Sequence, residues 1–112
     1  VIDVAAFVAS RRHLPSESTI ELHGAITPLD VPNMRRRLSA ALEGEPHDLM
    51  VDMRGVWDLC PKALAVLVGA HSRQRSLHRK LTLVMGLGSA TERALVAAGM
   101  QGRMPTVSVA GF

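Results

Sequence analysis

Residues 49–68 read LMVDMRGVWDLCPKALAVLV. Leu49, Met50 and Val51 form an apolar run without alternation, the mark of a strand covered on both faces. From Pro61 the apolar period changes, and Leu64, Leu67, Val68 and His71 fall on one side of a helix. A buried strand feeding directly into a helix is the repeating unit of an α/β sheet. At the junction stand Cys60, Pro61 and Lys62, a thiol, an imino acid and a cation where a site could sit.

The segments around this stretch extend the pattern. Upstream, TIELHG (19–24) alternates, with Ile20 and Leu22 on one face and Glu21 and His23 on the other, and reads as a strand ending at Gly24. In ITPLDVPNMRRRLSAALEGEP (26–46), Val31, Met34, Leu38, Ala41 and Leu42 share one side of a helix. Asp30 is its expected N-cap and Pro32 suits its first turn, while Gly44 and Pro46 close it. The strand after it is DLMVDM (48–53), and the helix from Pro61 runs to His78.

Downstream, KLTLVM (80–85) is another strand. GSATERALVAAG (88–99) is a third helix, opened by a capping box of Ser89 and Glu92 and closed by Gly99, with Leu95, Val96 and Ala98 as its apolar face. TVSVAGF (106–112) supplies the last strand, and Val1–Ala9 reads as a first one, joined by the polar link RRHLPSES (11–18). The expected fold is a single α/β domain over 1–112, a mostly parallel sheet of 4–5 strands with 3–4 helices.

Composition narrows the chemistry. Hydrophobic residues make up 47 % of the 112, enough for one core, built without tyrosine and with only Phe7, Trp57 and Phe112 as aromatics. One cysteine excludes an internal disulfide. No apolar run reaches membrane-spanning length, and the opening VIDVAAFVASRR places its basic pair after the apolar stretch, against the order of a signal peptide. A cytoplasmic location is the expectation.

No catalytic constellation stands out. His13, His23, His47, His71 and His78 form no HxxxH or HExxH pattern, so no metal and no cofactor is expected. GLGSATE (86–92) has Thr91 where a dinucleotide loop has its third glycine, and it lacks the Gly-Lys-Ser/Thr of a P-loop. Cys60 as a nucleophile would need a base and an oxyanion hole, and the sequence identifies neither. The plainer reading is a small, buried or half-buried residue.

Two basic clusters remain. Arg35, Arg36 and Arg37 lie on the first helix, and Arg73, Arg75, Arg79 and Lys80 gather near the end of the second. Each is a solvated face or a docking patch for an acidic protein. With a net charge of +3, no stacking aromatics on the sheet and no helix-turn-helix pair, direct nucleic-acid binding is not expected.

Three stretches resemble a known family. ELHGAITPLDVPNMRRRL, LMVDMRGVWDLCPKALAVLV and LTLVMGLGSATERALVAAGM follow in order what is seen in STAS domains, the fold of bacterial anti-sigma factor antagonists. The resemblance is clearest over 19–109. It implies a non-enzymatic regulatory domain that binds another protein: an anti-sigma factor or kinase-like regulator, or, alternatively, the other subunits of a lipid or anion transporter. A homodimer stays open.

Aligned on Asp52, Gly55 and Val56, the family's Asp-Ser-Ser-Gly falls on Cys60, Pro61, Lys62 and Ala63. Lys62 then occupies the phosphoacceptor serine position, and it has no hydroxyl to accept phosphate. Thr27 replaces the aspartate that ends the family's preceding strand and is a weaker alternative acceptor, while Ser72 and Ser76 lie farther along the helix. The expected partner face comprises Asp58, Cys60, Pro61, Lys62 and Ala63 with Arg35 and Arg36.

Overall fold

The computed structural model describes residues 17–43 and 47–109. The expected first strand (1–9), most of the link after it, Gly44 and Pro46 lie outside the described residues. The elements are β1 (Glu17–Ile26), a 3-10 turn (Pro28–Asp30), α1 (Val31–Leu42), β2 (Asp48–Leu59), α2 (Pro61–Ser76), β3 (Leu81–Gly86), α3 (Ala90–Ala97) and β4 (Thr106–Val109).

The described strands form one sheet in the order β1-β2-β3-β4, with all three pairings parallel. Parallel neighbours in sequence order require crossover helices, and right-handed crossovers place all of them on the same face. The buried apolar residues agree. Ile20, Leu22, Val51, Met53, Leu83 and Met85 from the strands join Met34, Leu38, Leu64, Leu67 and Leu95 from the helices in one cluster. Val84 is buried outside that cluster, as expected of the alternate face of β3. Val51 is the centre of the sheet, paired with Ile20 on one side and Leu83 on the other.

The strands run longer than their alternation suggests. β1 continues past Gly24 to Ile26, and β2 past Met53 to Leu59. The reason lies in the register. Glu21 pairs with Asp52 and Ile26 with Leu59, so β1 advances five residues while β2 advances seven. The two extra residues enter between Glu21 and His23 and between Gly24 and Ala25, as bulges on β2. Each bulge resets the side-chain alternation, so Met53, Val56 and Leu59 are buried at a spacing of three rather than two. Gly55 lies between them, where a Cβ would collide with Nδ1 of the His23 ring.

The helices also differ in detail. Asp30 stands just before α1, but its carboxylate turns back, accepting from the backbone N–H (2.8 Å) and the hydroxyl (3.0 Å) of Thr27. It closes the preceding turn and leaves the α1 donors alone. The buried stripe of α2 is Ala63, Leu64, Leu67, Ala70 and Gln74, which puts Val68 and His71 on its half-buried flank. This helix ends at Ser76 rather than His78. His78 adopts a left-handed backbone (φ 59), with its N–H on the Arg75 carbonyl and the Arg79 N–H on that of Gln74, the pairing of a Schellman cap.

In α3 the inward residues are Thr91 and Leu95, while Val96 and Ala98 are exposed, because the helix is only eight residues long and touches the sheet along one narrow line. Ser89 caps it by accepting the Glu92 N–H (3.2 Å), and the Glu92 carboxylate returns to Gly88 (2.9 Å) rather than to Ser89 itself. Gly99, at φ 70, closes this helix in the same Schellman geometry as His78 closes α2.

Candidate functional site

All four strands run the same way, so the turns after β1, β2 and β3 emerge at one edge of the sheet. The junction of β2 and α2 is the middle of that edge. Cys60 has extended backbone (φ −72, ψ 154); its N–H donates to the Ile26 carbonyl (3.0 Å), and its own carbonyl accepts from Ala63 (3.1 Å) and Leu64 (3.2 Å). The backbone of residue 60 thus ties the end of β1 to the first turn of α2. Pro61 fits there because the N–H it lacks would have had no helical partner. The Cys60 thiol is half-buried against the core and does not cap the helix.

Lys62 is exposed in the first turn of α2 and has no carboxylate partner among the described residues. Its charge lies near the positive end of the helix dipole, a local cost of about 0.3–1 kcal/mol at most. Pro61 and Asp58 are exposed as well, whereas Ala63 is fully buried. Ala63 therefore belongs beneath the expected partner face, since its methyl faces the core and cannot touch a partner.

Three apolar side chains that the sequence reading passed over stand exposed at this edge. Leu29, in the turn after β1, is 91 % exposed; Trp57, close to the end of β2, is 71 %; and Leu87, just after β3, is 66 %. Trp57 is the extra residue of the second bulge, between the pairs Gly24–Val56 and Ala25–Asp58. In a regular strand, its neighbour Val56 being buried would have signalled an outward tryptophan.

The two expected arginines are not equivalent. Arg35 lines a groove of about 340 Å³ between α1 and α2, together with Leu38, Leu42, Val66, Ala70 and Arg73. Arg36 is exposed and reaches the Asn33 side chain at 3.4 Å. It lines a second hollow with Pro32, Ala40 and Glu43, which Arg35 also borders, and it does not reach the α1–α2 groove.

Behind the edge, polar pairs brace the bulged ribbon. Arg54 grips the Asp52 carboxylate with its guanidinium at 2.6 to 3.1 Å, and its backbone N–H adds a bond of 3.0 Å. Asp52 is only 3 % exposed. Burial by itself would push its carboxyl up. The bonds from Arg54, its charge and that of His23 together outweigh burial and hold Asp52 below the ordinary carboxylate value. His23 contacts the Glu21 carboxylate through Nε2 while its ring lies against Gly55. No group of three or more His, Cys, Asp or Glu side chains among the described residues could hold a metal ion, and no described helix is long and apolar enough to cross a membrane.

The family described as "Mlab, STAS domain" matches residues 9–108. The chain belongs to the STAS-domain family. STAS domains are non-catalytic regulatory modules, and membership supports a general regulatory, protein-binding role. A search of curated proteins found no match.

Proposed function

We propose that this STAS domain is a protein-binding regulator of the anti-sigma factor antagonist type, working without a serine phospho-switch at the start of α2. One observation carries the reading: an unpaired, exposed Lys62 shares the sheet edge with the exposed side chains of Leu29, Trp57 and Leu87. Exposed apolar groups around a single cation suit a partner surface that is apolar with an acidic centre.

Lys62 stands where the family's phosphoacceptor serine is found, and an ammonium group neither accepts phosphate nor mimics it. Thr27 is a poor substitute. Its hydroxyl already donates to the Asp30 carboxylate, and a phosphate there would meet that negative charge. Mass spectrometry after incubation with ATP and the partner kinase is expected to find no stoichiometric phosphate on the peptides covering Thr27, Lys62 and Ser72.

The direct test is capture of partners from the native cell, followed by titration. Lys62→Glu and Trp57→Ala are each expected to weaken the best partner by at least about tenfold, and the affinity of the parent to fall with added salt. Equal affinities for parent and both variants would remove this edge from the interface. Enrichment of a permease or its ATPase in place of an anti-sigma factor would turn the reading to an accessory subunit of a lipid or anion transporter.

A further inference from the structure

The opposite edge of the sheet carries a second cluster, which the partner-binding face does not explain. Arg75, Arg79, Lys80 and Arg103 line one cavity of about 410 Å³, together with His71, Gly102, Met104 and Pro105. No carboxylate lines it, and none of the four cations has an ion-pair partner among the described residues. The nearest acidic contact is Asp48, whose carboxylate accepts from the backbone N–H of Lys80 (2.9 Å) and leaves the ammonium unpaired. His71 adds a ring whose Nδ1 is buried without a hydrogen-bond partner.

The backbone beneath this open groove is held in place. Gln74 is almost completely buried, and its amide donates to the carbonyls of His47 (3.0 Å) and Lys80 (3.1 Å). That clamp and the Schellman cap fix the backbone on which Arg79 and Lys80 stand. On the facing loop, Gly102 takes a left-handed conformation (φ 81), and Arg103 follows with its N–H on the Met100 carbonyl. The ordinary role of cations at a helix C-terminus is to offset its dipole, but that end amounts to about half an elementary charge. Four cations exceed it severalfold, and one of them, Arg103, comes from a different element.

We propose that this cavity binds a soluble small molecule bearing two adjoining phosphate groups. Guanidinium forks match phosphate oxygens two at a time, and a monoanion would leave most of the positive charge uncompensated. The site lies at the end of α2 remote from Lys62. The 16 residues of that helix span about 24 Å, so ligand and protein partner can be held together.

Titration of the whole chain with sodium pyrophosphate at low ionic strength, followed by calorimetry and by amide chemical shifts, tests this. Saturable binding is expected, with the largest shifts at residues 71–80 and 102–105, and with inorganic phosphate and sulfate weaker by at least about tenfold. The pair Arg79→Gln/Arg103→Gln should weaken pyrophosphate by about tenfold or more, as should the more exposed pair Arg75→Gln/Arg103→Gln, while Lys62→Glu leaves it unchanged. The proposal falls if pyrophosphate does not saturate, if it binds no better than sulfate, or if both arginine pairs, shown folded by their remaining amide shifts, bind as the parent does. Sedimentation with phosphatidylglycerol vesicles without pyrophosphate binding would also overturn it, in favour of a membrane surface.

Discussion

The two halves of β2 obey different rules. From Leu49 to Asp52 the strand has partners on both sides, β1 and β3, in unbroken register. From Met53 to Leu59 it pairs with β1 alone, through two bulges, and carries Trp57 and Asp58 out into solvent. The first half is fixed by burial, and the second is fixed by local devices: the Asp52–Arg54 grip, the His23 ring against Gly55, and the backbone bond from Cys60 to Ile26. A regular, fully covered strand end would have no free surface. Bulging the strand lets one element anchor the core and still present a binding edge.

If that contrast is right, the largest effect comes from the centre of the first half. Val51→Asp puts a carboxylate at a site with no exposure, and should cost about 4 kcal/mol or more. Thermal denaturation should find the variant unfolded or melting far below the parent; a loss of only a degree or two would mean that the strand is not central.

Asp52 marks the boundary between the halves, and Asp52→Asn should cost about 1–3 kcal/mol at pH 7. Its folded-state pKa is lowered, so its contribution is present above the unfolded value of about 4 and is lost as pH falls through the folded value. Urea unfolding at stepped pH should therefore show the gap between parent and Asp52→Asn narrowing below about pH 4. A gap of constant size down to strongly acidic pH would assign the effect to packing instead.

Gly55→Ala should cost about 1–2 kcal/mol, because the new methyl overlaps the His23 ring. Combining it with His23→Ala should recover part of that loss, a coupling that a double-mutant cycle measures directly. Strict additivity would show that the ring is not what forbids a side chain at position 55. The smallest stability effects belong to Lys62→Glu and Trp57→Ala, each within about 0.5 kcal/mol of the parent, since both side chains lie at the surface. They should reduce partner binding all the same, which separates interface from scaffold.

The contrast also explains what could be read in the sequence. Ile20, Val51 and Leu83 lie in regular strands, where an apolar run or a clean alternation maps onto one register, and the central row of the sheet follows from them. Met53 to Leu59 could not be read that way. A bulge changes which residues face inward while leaving composition untouched, and Gly55 resembles the start of a link. The junction at Cys60, Pro61 and Lys62 was legible because the change from strand to helix period is sharp. Trp57 and Leu29 were not, since exposure of an apolar residue depends on neighbours distant in the chain. Arg35 and Arg36 are adjacent in sequence and share one hollow on α1, yet 100° of helical rotation lets only Arg35 reach the α2 groove as well.

The strand order has a consequence for how the chain is made. Each of β2, β3 and β4 settles beside the strand synthesised just before it, after a single crossover. None of these three pairings waits for a later segment to be inserted between strands already formed. On the ribosome, β1 and β2 can zip with α1 packed across them before β3 has emerged, and every further strand–helix unit extends an existing template. Loop closure at each step spans a single crossover, which limits the time that an unpaired apolar strand such as Leu81–Gly86 is open to the wrong neighbour.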